Sequence, residues 1–207
     1  IQGIRIIEEP RFSPYCFVDM SSCLFSEDID VKKYDFIYAC AQKNFGPSGI
    51  TLVIAKKELL ERSNPDLPNI LKYDAHANEG SMLNTPNTFG WYVAGKMFDW
   101  YLENGGVAEM EKQSIAKTAM LYDLIDKSDF YVNPVSPKQR SINNVVFTIV
   151  NSELEKVFLE EAEKADLRYL KGHRTVGGMR ASIYNSMKIE SVSALKDFME
   201  NFEKNYG

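Results

Sequence analysis

The segment Phe36-Ile-Tyr-Ala-Cys-Ala-Gln-Lys-Asn-Phe-Gly-Pro-Ser-Gly49 places a lysine between two apolar runs. The first run, Phe36–Ala41, gives way to polar residues and a turn cluster, and the second run, Ile50–Ala55, follows at once. Short runs rich in β-branched and aromatic residues between turn-forming residues are typical of buried strands. The sequence therefore predicts two core strands, with Lys43 on the tight loop between them.

Lys43 lies just past the end of a predicted strand, where an amine can lose part of its hydration and act as a nucleophile toward a carbonyl. A lysine at a strand end more often simply extends its charged group into solvent. Taken alone, Lys43 favours this second interpretation.

Asp19 favours the interpretation of Lys43 as a nucleophile, because it ends another apolar stretch, Tyr15–Asp19. In open α/β sheets, ligands bind just outside the carboxyl ends of the strands, where both Asp19 and Lys43 are expected. Pyridoxal phosphate uses such a pair: a lysine holds its aldehyde, and a carboxylate keeps its ring nitrogen protonated. The alternative, with equal weight, is that Asp19 only caps the following helix.

Four segments resemble the phosphoserine aminotransferase family, which consists of fold-type I enzymes of aminotransferase class V. They are Asp19–Ser22, Ala41–Gly49, Asn84–Phe89 and Lys171–Asn185. The last is the most specific, because class V relatives such as cysteine desulfurases share the lysine and the aspartate but not this segment. The similarity runs from near Ile1 to the end of the chain.

The resemblance implies catalytic roles for Lys43 and Asp19, and cofactor contacts from these two residues and from Gln42, Asn84 and Thr85. In the family, the last two positions reach the phosphate bound by the neighbouring subunit, which implies a homodimer. A helix N-terminus is a suitable place for a phosphate. By sequence alone, however, capping of the following helix by Asn84 or Thr85 is the better interpretation.

The resemblance also implies a substrate site, in which Arg180 binds the α-carboxylate and His173 with Arg174 binds a phosphate or side-chain carboxylate. Guanidinium groups suit such planar anions, although a single strand arginine can equally form a surface ion pair. The implied reaction is pyridoxal-phosphate-dependent transamination between 3-phosphohydroxypyruvate and glutamate, which gives phosphoserine and 2-oxoglutarate in serine biosynthesis. His76 matches no functional position.

Two alternatives stay open at this point. One is a different class V reaction, such as that of a desulfurase or a glyoxylate aminotransferase, although a substrate without phosphate would leave the cations His173, Arg174 and Arg180 unexplained. The other is an inactive or partner-binding fragment that lacks an N-terminal half needed to stack on the cofactor and hold its phosphate.

Composition narrows the class of protein. A net charge of −5 disfavours nucleic acid as a partner, and no apolar run is long enough to span a membrane. The three cysteines are unpatterned, which favours reduced thiols in a cytoplasmic protein, and with only two histidines a metal site is not expected. Charged residues at 26% and hydrophobic residues at 44% are typical of a soluble globular protein. The predicted fold class is α/β.

The predicted organisation has two domains. Residues 1–105 are expected to form the C-terminal portion of the cofactor-binding large domain, a mostly parallel sheet with helices. Residues 106–207, including a long connecting helix, are expected to form the small C-terminal α/β domain. A strand is predicted at Ile4–Glu8 and a loop between Pro10 and Pro14. Because family members are longer and the first residue is not methionine, the chain is expected to be a fragment covering their C-terminal half or somewhat more.

Overall fold

Two units, each built around a three-stranded sheet, make up the computed structural model, which describes residues 1–7 and 14–207. The Lys43 unit comprises the described residues of Pro10–Val107. The Arg180 unit comprises the described residues of Ile1–Glu9 together with Ala108–Gly207. Each unit has its own buried core, and each carries some of the residues that are predicted to be functional.

The sheet of the Lys43 unit has the order β1-β2-β3. Strand β1 runs parallel to β2 with Asp19 opposite Tyr38, and β2 runs antiparallel to β3 with Cys40 opposite Thr51. The elements are β1 (Phe17–Asp19), β2 (Phe36–Cys40), β3 (Thr51–Ala55), α1 (Lys57–Leu60), α2 (Tyr73–Asn78) and α3 (Thr88–Glu103).

Only β2 behaves as the core strand that the sequence predicts. Ile37 and Ala39 are fully buried on one face, while Tyr38 on the other face is partly exposed. The expectation that β3 is also a core strand is wrong, because Ile54 is 37% exposed and no residue of β3 is buried. In the described part of the chain β3 lies at one edge of the sheet, where it has a single neighbouring strand.

Helix α3 packs closely on the turn that carries Lys43, and glycines make this approach possible. A Cβ atom at Gly46 would lie 3.5 Å from Cβ of Ala94 in α3. At Gly90, in the first turn of α3, a Cβ atom would lie 2.9 Å from Cγ1 of Ile50. Gly49 has a φ of +97°, a conformation that favours glycine. The position of the turn therefore depends on glycines that let the backbone approach the side chains of Ala94 and Ile50.

The Arg180 unit contains an antiparallel sheet of order β4-β5-β6, which packs against helices. Its core includes Phe147, Met179 and Ala181 from the sheet, with Phe158 and Met199 from two of the helices. The elements are α4 (Gly106–Lys127), β4 (Tyr131–Val132), β5 (Asn144–Ile149), α5 (Leu154–Lys164), β6 (Met179–Ser182) and α6 (Ile189–Tyr206).

The first residues of the chain do not form the strand that is predicted at Ile4–Glu8. Ile4 instead makes an isolated antiparallel bridge to Arg140, next to a hydrogen bond from the Ser141 N–H to the carbonyl of Gly3 at 2.9 Å. Among the described residues of this segment only Ile4 pairs with another part of the chain, and a single pair is too short to be a strand. The end of the predicted strand, and most of the predicted loop between Pro10 and Pro14, lie outside the described residues.

Replacing Gly90 with alanine tests the packing of α3 on the lysine turn. Its new Cβ atom would come within 2.7 Å of the Asn87 side chain and 2.9 Å of Ile50, so both must move. Overpacking of this kind costs about 1–3 kcal/mol. We expect Gly90→Ala to lower the free energy of unfolding of the full-length protein by about this amount, as measured by denaturant titration.

The matched control for this variant is Gly95→Ala in the same helix. A Cβ atom at Gly95 meets no described atom within 4 Å. Alanine is favoured over glycine in a helix interior by about 1 kcal/mol, so this variant should be as stable as the parent or more stable. Equal stability of the Gly90→Ala and Gly95→Ala proteins would show that α3 does not pack on the turn as described.

Candidate active site

Asp19 is the last residue of β1, and a short turn immediately after the strand fixes its carboxylate. The Ser21 hydroxyl donates a hydrogen bond of 2.6 Å to Oδ1 of Asp19, and the Ser21 N–H donates a second of 2.8 Å to the same oxygen. Partial burial raises the pKa of the Asp19 carboxyl, but hydrogen bonds from Ser21 and Tyr38 and the charge of Lys43 outweigh burial, so that the net pKa is lowered. Asp19 therefore stays ionised in mildly acidic solution.

Lys43 lies in the turn that follows β2, and the backbone around it is held tightly. The Ala41 N–H donates to the Ile50 carbonyl, and the N–H groups of Phe45 and Gly46 both donate to the Ala41 carbonyl, all at 3.0 Å. Phe45 is 1% exposed. Lys43 therefore extends from a short, rigid segment.

The neighbouring residue Asn44 anchors this turn to the rest of the unit. Its buried side-chain amide donates to the Leu24 carbonyl and to the Ser26 hydroxyl, both at 2.9 Å. The backbone carbonyl of Asn44 accepts a hydrogen bond of 2.7 Å from the buried hydroxyl of Tyr101 in α3. Since these contacts come from two other parts of the unit, they fix the direction in which the preceding side chain, that of Lys43, leaves the backbone.

The Lys43 amine itself makes no hydrogen bond or ion pair with any of residues 1–7 or 14–207. Its charge contributes to the lowered pKa of Asp19, so the two side chains lie within electrostatic reach of each other. A half-buried amine without a partner, close to a carboxylate, is available to form a covalent bond with an aldehyde. Asp19 and Lys43 thus have the chemistry that a cofactor with an aldehyde and a protonated ring nitrogen requires.

Three other residues of the Lys43 unit are candidates for the cofactor site. Gln42 is exposed beside Lys43, and Asn84 and Thr85 are exposed in the segment before α3. The alternative that Asn84 or Thr85 caps this helix is wrong. The cap is Asn87, whose Oδ1 accepts a hydrogen bond of 3.0 Å from the Gly90 N–H. The helix begins three residues after Thr85, beyond the reach of a capping bond from that side chain.

The Arg180 unit holds the cationic candidates on a tight hairpin-like turn before β6. The Gly172 N–H donates to the Gly178 carbonyl at 2.8 Å, and the Gly177 N–H donates to the His173 carbonyl at 2.9 Å. A Cβ atom at Gly172 would lie 2.0 Å from the Gly177 carbonyl oxygen, so only glycine fits there. Arg174 lies on this turn and is exposed.

The orientation of the His173 ring is set by Thr175. Nδ1 of His173 accepts from the Thr175 N–H at 3.3 Å and lies 2.8 Å from the Thr175 hydroxyl. Because a backbone N–H can only donate, Nδ1 is an acceptor here, and the ring proton of the neutral imidazole lies on Nε2. Nε2 can therefore donate a hydrogen bond to an anion.

Arg180 lies in β6 between the buried residues Met179 and Ala181, so its side chain leaves the sheet on the face opposite the core. Its Nε is buried and has no hydrogen-bond partner among the described residues. A buried guanidinium nitrogen without a partner is uncommon, because desolvation of a charged group is costly. Arg180 thus retains a donor for a planar anion.

Sequence reasoning did not single out Ser21 and Tyr38 as site residues. Ser21 could have been predicted from the spacing Asp-x-Ser, because an Asp side chain can accept a hydrogen bond from a hydroxyl two residues later. Tyr38 could not have been predicted without the register of β1 against β2, which places it opposite Asp19. The Asp19 carboxylate raises the pKa of the Tyr38 hydroxyl.

Other kinds of site find no support in residues 1–7 and 14–207. Cys16, Cys23 and Cys40 are all free, as predicted. Burial raises the pKa of the Cys23 thiol to about 12, so this thiol is protonated at neutral pH. No group of three metal-binding side chains occurs within the described ranges, and no helix there is apolar and long enough to cross a bilayer.

Comparison with known proteins places the chain in a family. A phosphoserine aminotransferase from Acinetobacter baylyi is 49% identical over the whole of this chain, which covers 58% of that protein. The solved phosphoserine aminotransferase from Bacillus circulans subsp. alkalophilus is 39% identical, with a TM-score of 0.96 over 100% of this chain and 58% of that one. A pyridoxal-phosphate-bound phosphoserine aminotransferase from Trichomonas vaginalis is 36% identical, with a TM-score of 0.90 over 97% of this chain and 57% of that one.

The chain therefore spans somewhat more than half the length of these relatives, and over that span the backbones agree closely. The match confirms the predicted fold. The family model for aminotransferase class V matches residues 10–195. Since this is most of the sequence, the chain belongs to the aminotransferase class-V family.

Proposed function

We propose that the full-length protein is a pyridoxal-phosphate-dependent phosphoserine aminotransferase. It would transfer an amino group between glutamate and 3-phosphohydroxypyruvate, giving phosphoserine and 2-oxoglutarate. The observation that carries this proposal is the pair formed by Asp19, which is hydrogen-bonded and ionised, and Lys43, whose amine is free among the described residues. The 49% identity to a phosphoserine aminotransferase supports the choice of reaction.

Pyridoxal phosphate, when bound, supplies an aldehyde that condenses with amines and a protonated ring that draws electrons from the substrate. In this proposal Asp19 holds the proton on the ring nitrogen, and its lowered pKa suits a residue that must stay negative there. The Lys43 amine would hold the cofactor by condensing with its aldehyde, which releases water. In its free form, Lys43 would carry a proton from the substrate α-carbon to the carbon of the cofactor aldehyde, the transfer that transamination requires.

The cofactor phosphate is proposed to be held across a homodimer. Asn84 and Thr85 are exposed and do not cap α3, which leaves their polar groups available to a second subunit. Within the part of the chain that the structure describes, the Asn84 amide makes only a local bond of 3.2 Å to the Thr85 carbonyl. In the proposed dimer, Gln42 contacts the cofactor bound within its own subunit, while the partner subunit's Asn84 and Thr85 donate to the phosphate.

The substrate anions are assigned to the cations of the Arg180 unit. Arg180, with its buried and unpartnered Nε, is proposed to bind the α-carboxylate. His173 and Arg174, on the glycine-rich turn, are proposed to bind the phosphate, because charge-assisted donors suit a dianion. A substrate with neither a phosphate nor a side-chain carboxylate would make no use of these two donors, which disfavours a desulfurase or glyoxylate aminotransferase. A cytoplasmic location stays a prediction.

Reduction with borohydride tests the central assignment. We expect the purified full-length protein to carry a bound chromophore that borohydride bleaches, with the reduced cofactor recovered on the peptide containing Lys43. The half-buried amine beside Asp19 is the group suited to this bond. Peptide mass spectrometry after reduction gives the position directly.

The matched variants are Lys43→Ala and Lys32→Ala, the second at an exposed lysine of the same unit. Only Lys43→Ala should abolish both the label and transamination. Recovery of the cofactor on any other lysine would show that Lys43 is not the attachment residue.

Substitution of Arg174 tests the choice of substrate. A charge-assisted hydrogen bond is worth about 1.5–3 kcal/mol, which corresponds to about ten- to a hundredfold in binding. We expect Arg174→Ala to raise KM for 3-phosphohydroxypyruvate by this factor and to raise KM for an unphosphorylated keto acid much less. Steady-state kinetics of the full-length protein with both substrates measure the difference.

Arg168→Ala serves as the control, because Arg168 is an exposed arginine of the same unit that pairs with Asp166 at 2.8 Å. This variant should leave KM for both substrates unchanged. Equal losses for the two substrates in Arg174→Ala would mean that Arg174 does not bind the phosphate.

A further inference from the structure

We propose that Ser21 is a positioning residue that holds Oδ1 of Asp19, so that Oδ2 is left for the protonated ring nitrogen of the cofactor. The inference rests on the proposed function, because it assigns a purpose to the orientation of Asp19. Ser21 itself is buried, with 7% of its surface exposed, and it is not a residue that would touch substrate.

The hydrogen bonds of Ser21 fix the direction of its single hydroxyl proton. Oγ of Ser21 accepts a bond of 3.0 Å from the Cys40 N–H, so the hydroxyl proton is left to point at Oδ1 of Asp19, 2.6 Å away. The Ser21 N–H donates to the same oxygen at 2.8 Å. Two donors on one carboxylate oxygen set the rotation of the carboxylate plane and leave the second oxygen free of Ser21.

The same contacts tie the carboxylate to the strand that leads to Lys43. Cys40 is the last residue of β2, and the Ala41 N–H that follows it is bonded to the Ile50 carbonyl. Ser21 thereby connects the end of β1 to the end of β2 at the point where the lysine turn begins. A shift of Ser21 would move Asp19 relative to Lys43, because the only backbone bond from beyond the end of β1 to β2 in the described residues is that of the Met20 N–H to the Tyr38 carbonyl at 2.9 Å.

Ser21 also contributes to the charge state of Asp19. Burial alone would raise the pKa of this carboxyl, and the bonds from Ser21 are the largest influence in the opposite direction. The other groups facing it are Tyr38 from β2, Lys43 from the turn and the Cys23 thiol from the segment after β1. Without the Ser21 hydroxyl, the pKa of Asp19 should rise, and the carboxylate would be lost at a higher pH as the solution is acidified.

The test compares Ser21→Ala with Ser22→Ala in the full-length protein. Ser22 is the adjacent serine and makes no hydrogen bond to Asp19 among the described residues. The first measurement is the pKa of Asp19 by carbon-detected NMR in the protein freed of cofactor. It should rise in Ser21→Ala and stay unchanged in Ser22→Ala. An unchanged value in both proteins would overturn the proposal.

The second measurement is the dissociation constant for pyridoxal phosphate as a function of pH. We expect Ser21→Ala to weaken binding about tenfold at neutral pH, as for one lost hydrogen bond to a charged group. The acid limb of the binding profile should also move to higher pH. In an Asp19→Asn background the same substitution should have no further effect. An equal effect in both backgrounds would show that Ser21 acts on stability alone.

Ser21→Ala could fail to fold, because the Cys40 N–H loses its acceptor. Two further variants then provide the test. Ser21→Thr keeps the hydroxyl and should restore the parent profile, whereas Ser21→Cys, a weaker donor, should shift it in the direction expected of Ser21→Ala. Identical profiles for these two proteins would overturn the proposal. If the parent protein binds no pyridoxal phosphate, the proposed function fails, and the NMR titration still decides whether Ser21 controls Asp19.

Discussion

The parallel pairing of β1 with β2 is the constraint that brings the two ionisable groups of the Lys43 unit to one edge of the sheet. The register places Asp19 opposite Tyr38, and Lys43 follows shortly after β2 ends. Side chains alternate between the faces of a strand, so a slip of one residue would turn Asp19 to the opposite face. The Ser21–Cys40 hydrogen bond closes the pairing at this edge and opposes such a slip.

The lysine turn is rigid because backbone and aromatic packing, rather than contacts of the lysine itself, hold it. Phe45 is packed with Phe25 and Phe98, with ring centroids 5.4 Å and 6.0 Å apart respectively, and Asn44 is bonded on three sides. These neighbours fix the turn, and the Lys43 amine has no bond to any described residue that it would have to break in order to react. That division of tasks suits a nucleophile that must alternate between bound and free states.

The local sequence was sufficient for the parts of the site that depend on local signals. The apolar runs and the Gly-Pro-Ser-Gly cluster located β2, β3 and the turn with Lys43, and a strand end located Asp19. The exposure of β3, the cap at Asn87 and the contact of Tyr38 with Asp19 depend on which strands are neighbours and where a helix begins. Those are long-range outcomes, because residues far apart in sequence decide them.

Arg180 shows how the fold of its unit can retain an unused hydrogen-bond donor at a cost in stability. The alternation along β6 buries Met179 and Ala181 in the core, and so it places the guanidinium on the opposite face. There Nε is shielded from solvent but has no partner among the described residues, an arrangement that disfavours the isolated chain. A bound carboxylate would offset that cost, because one of its oxygens would accept a hydrogen bond from Nε of Arg180. This difference between the free and the bound state is what supports a carboxylate site at Arg180 over a surface ion pair, which would already be satisfied.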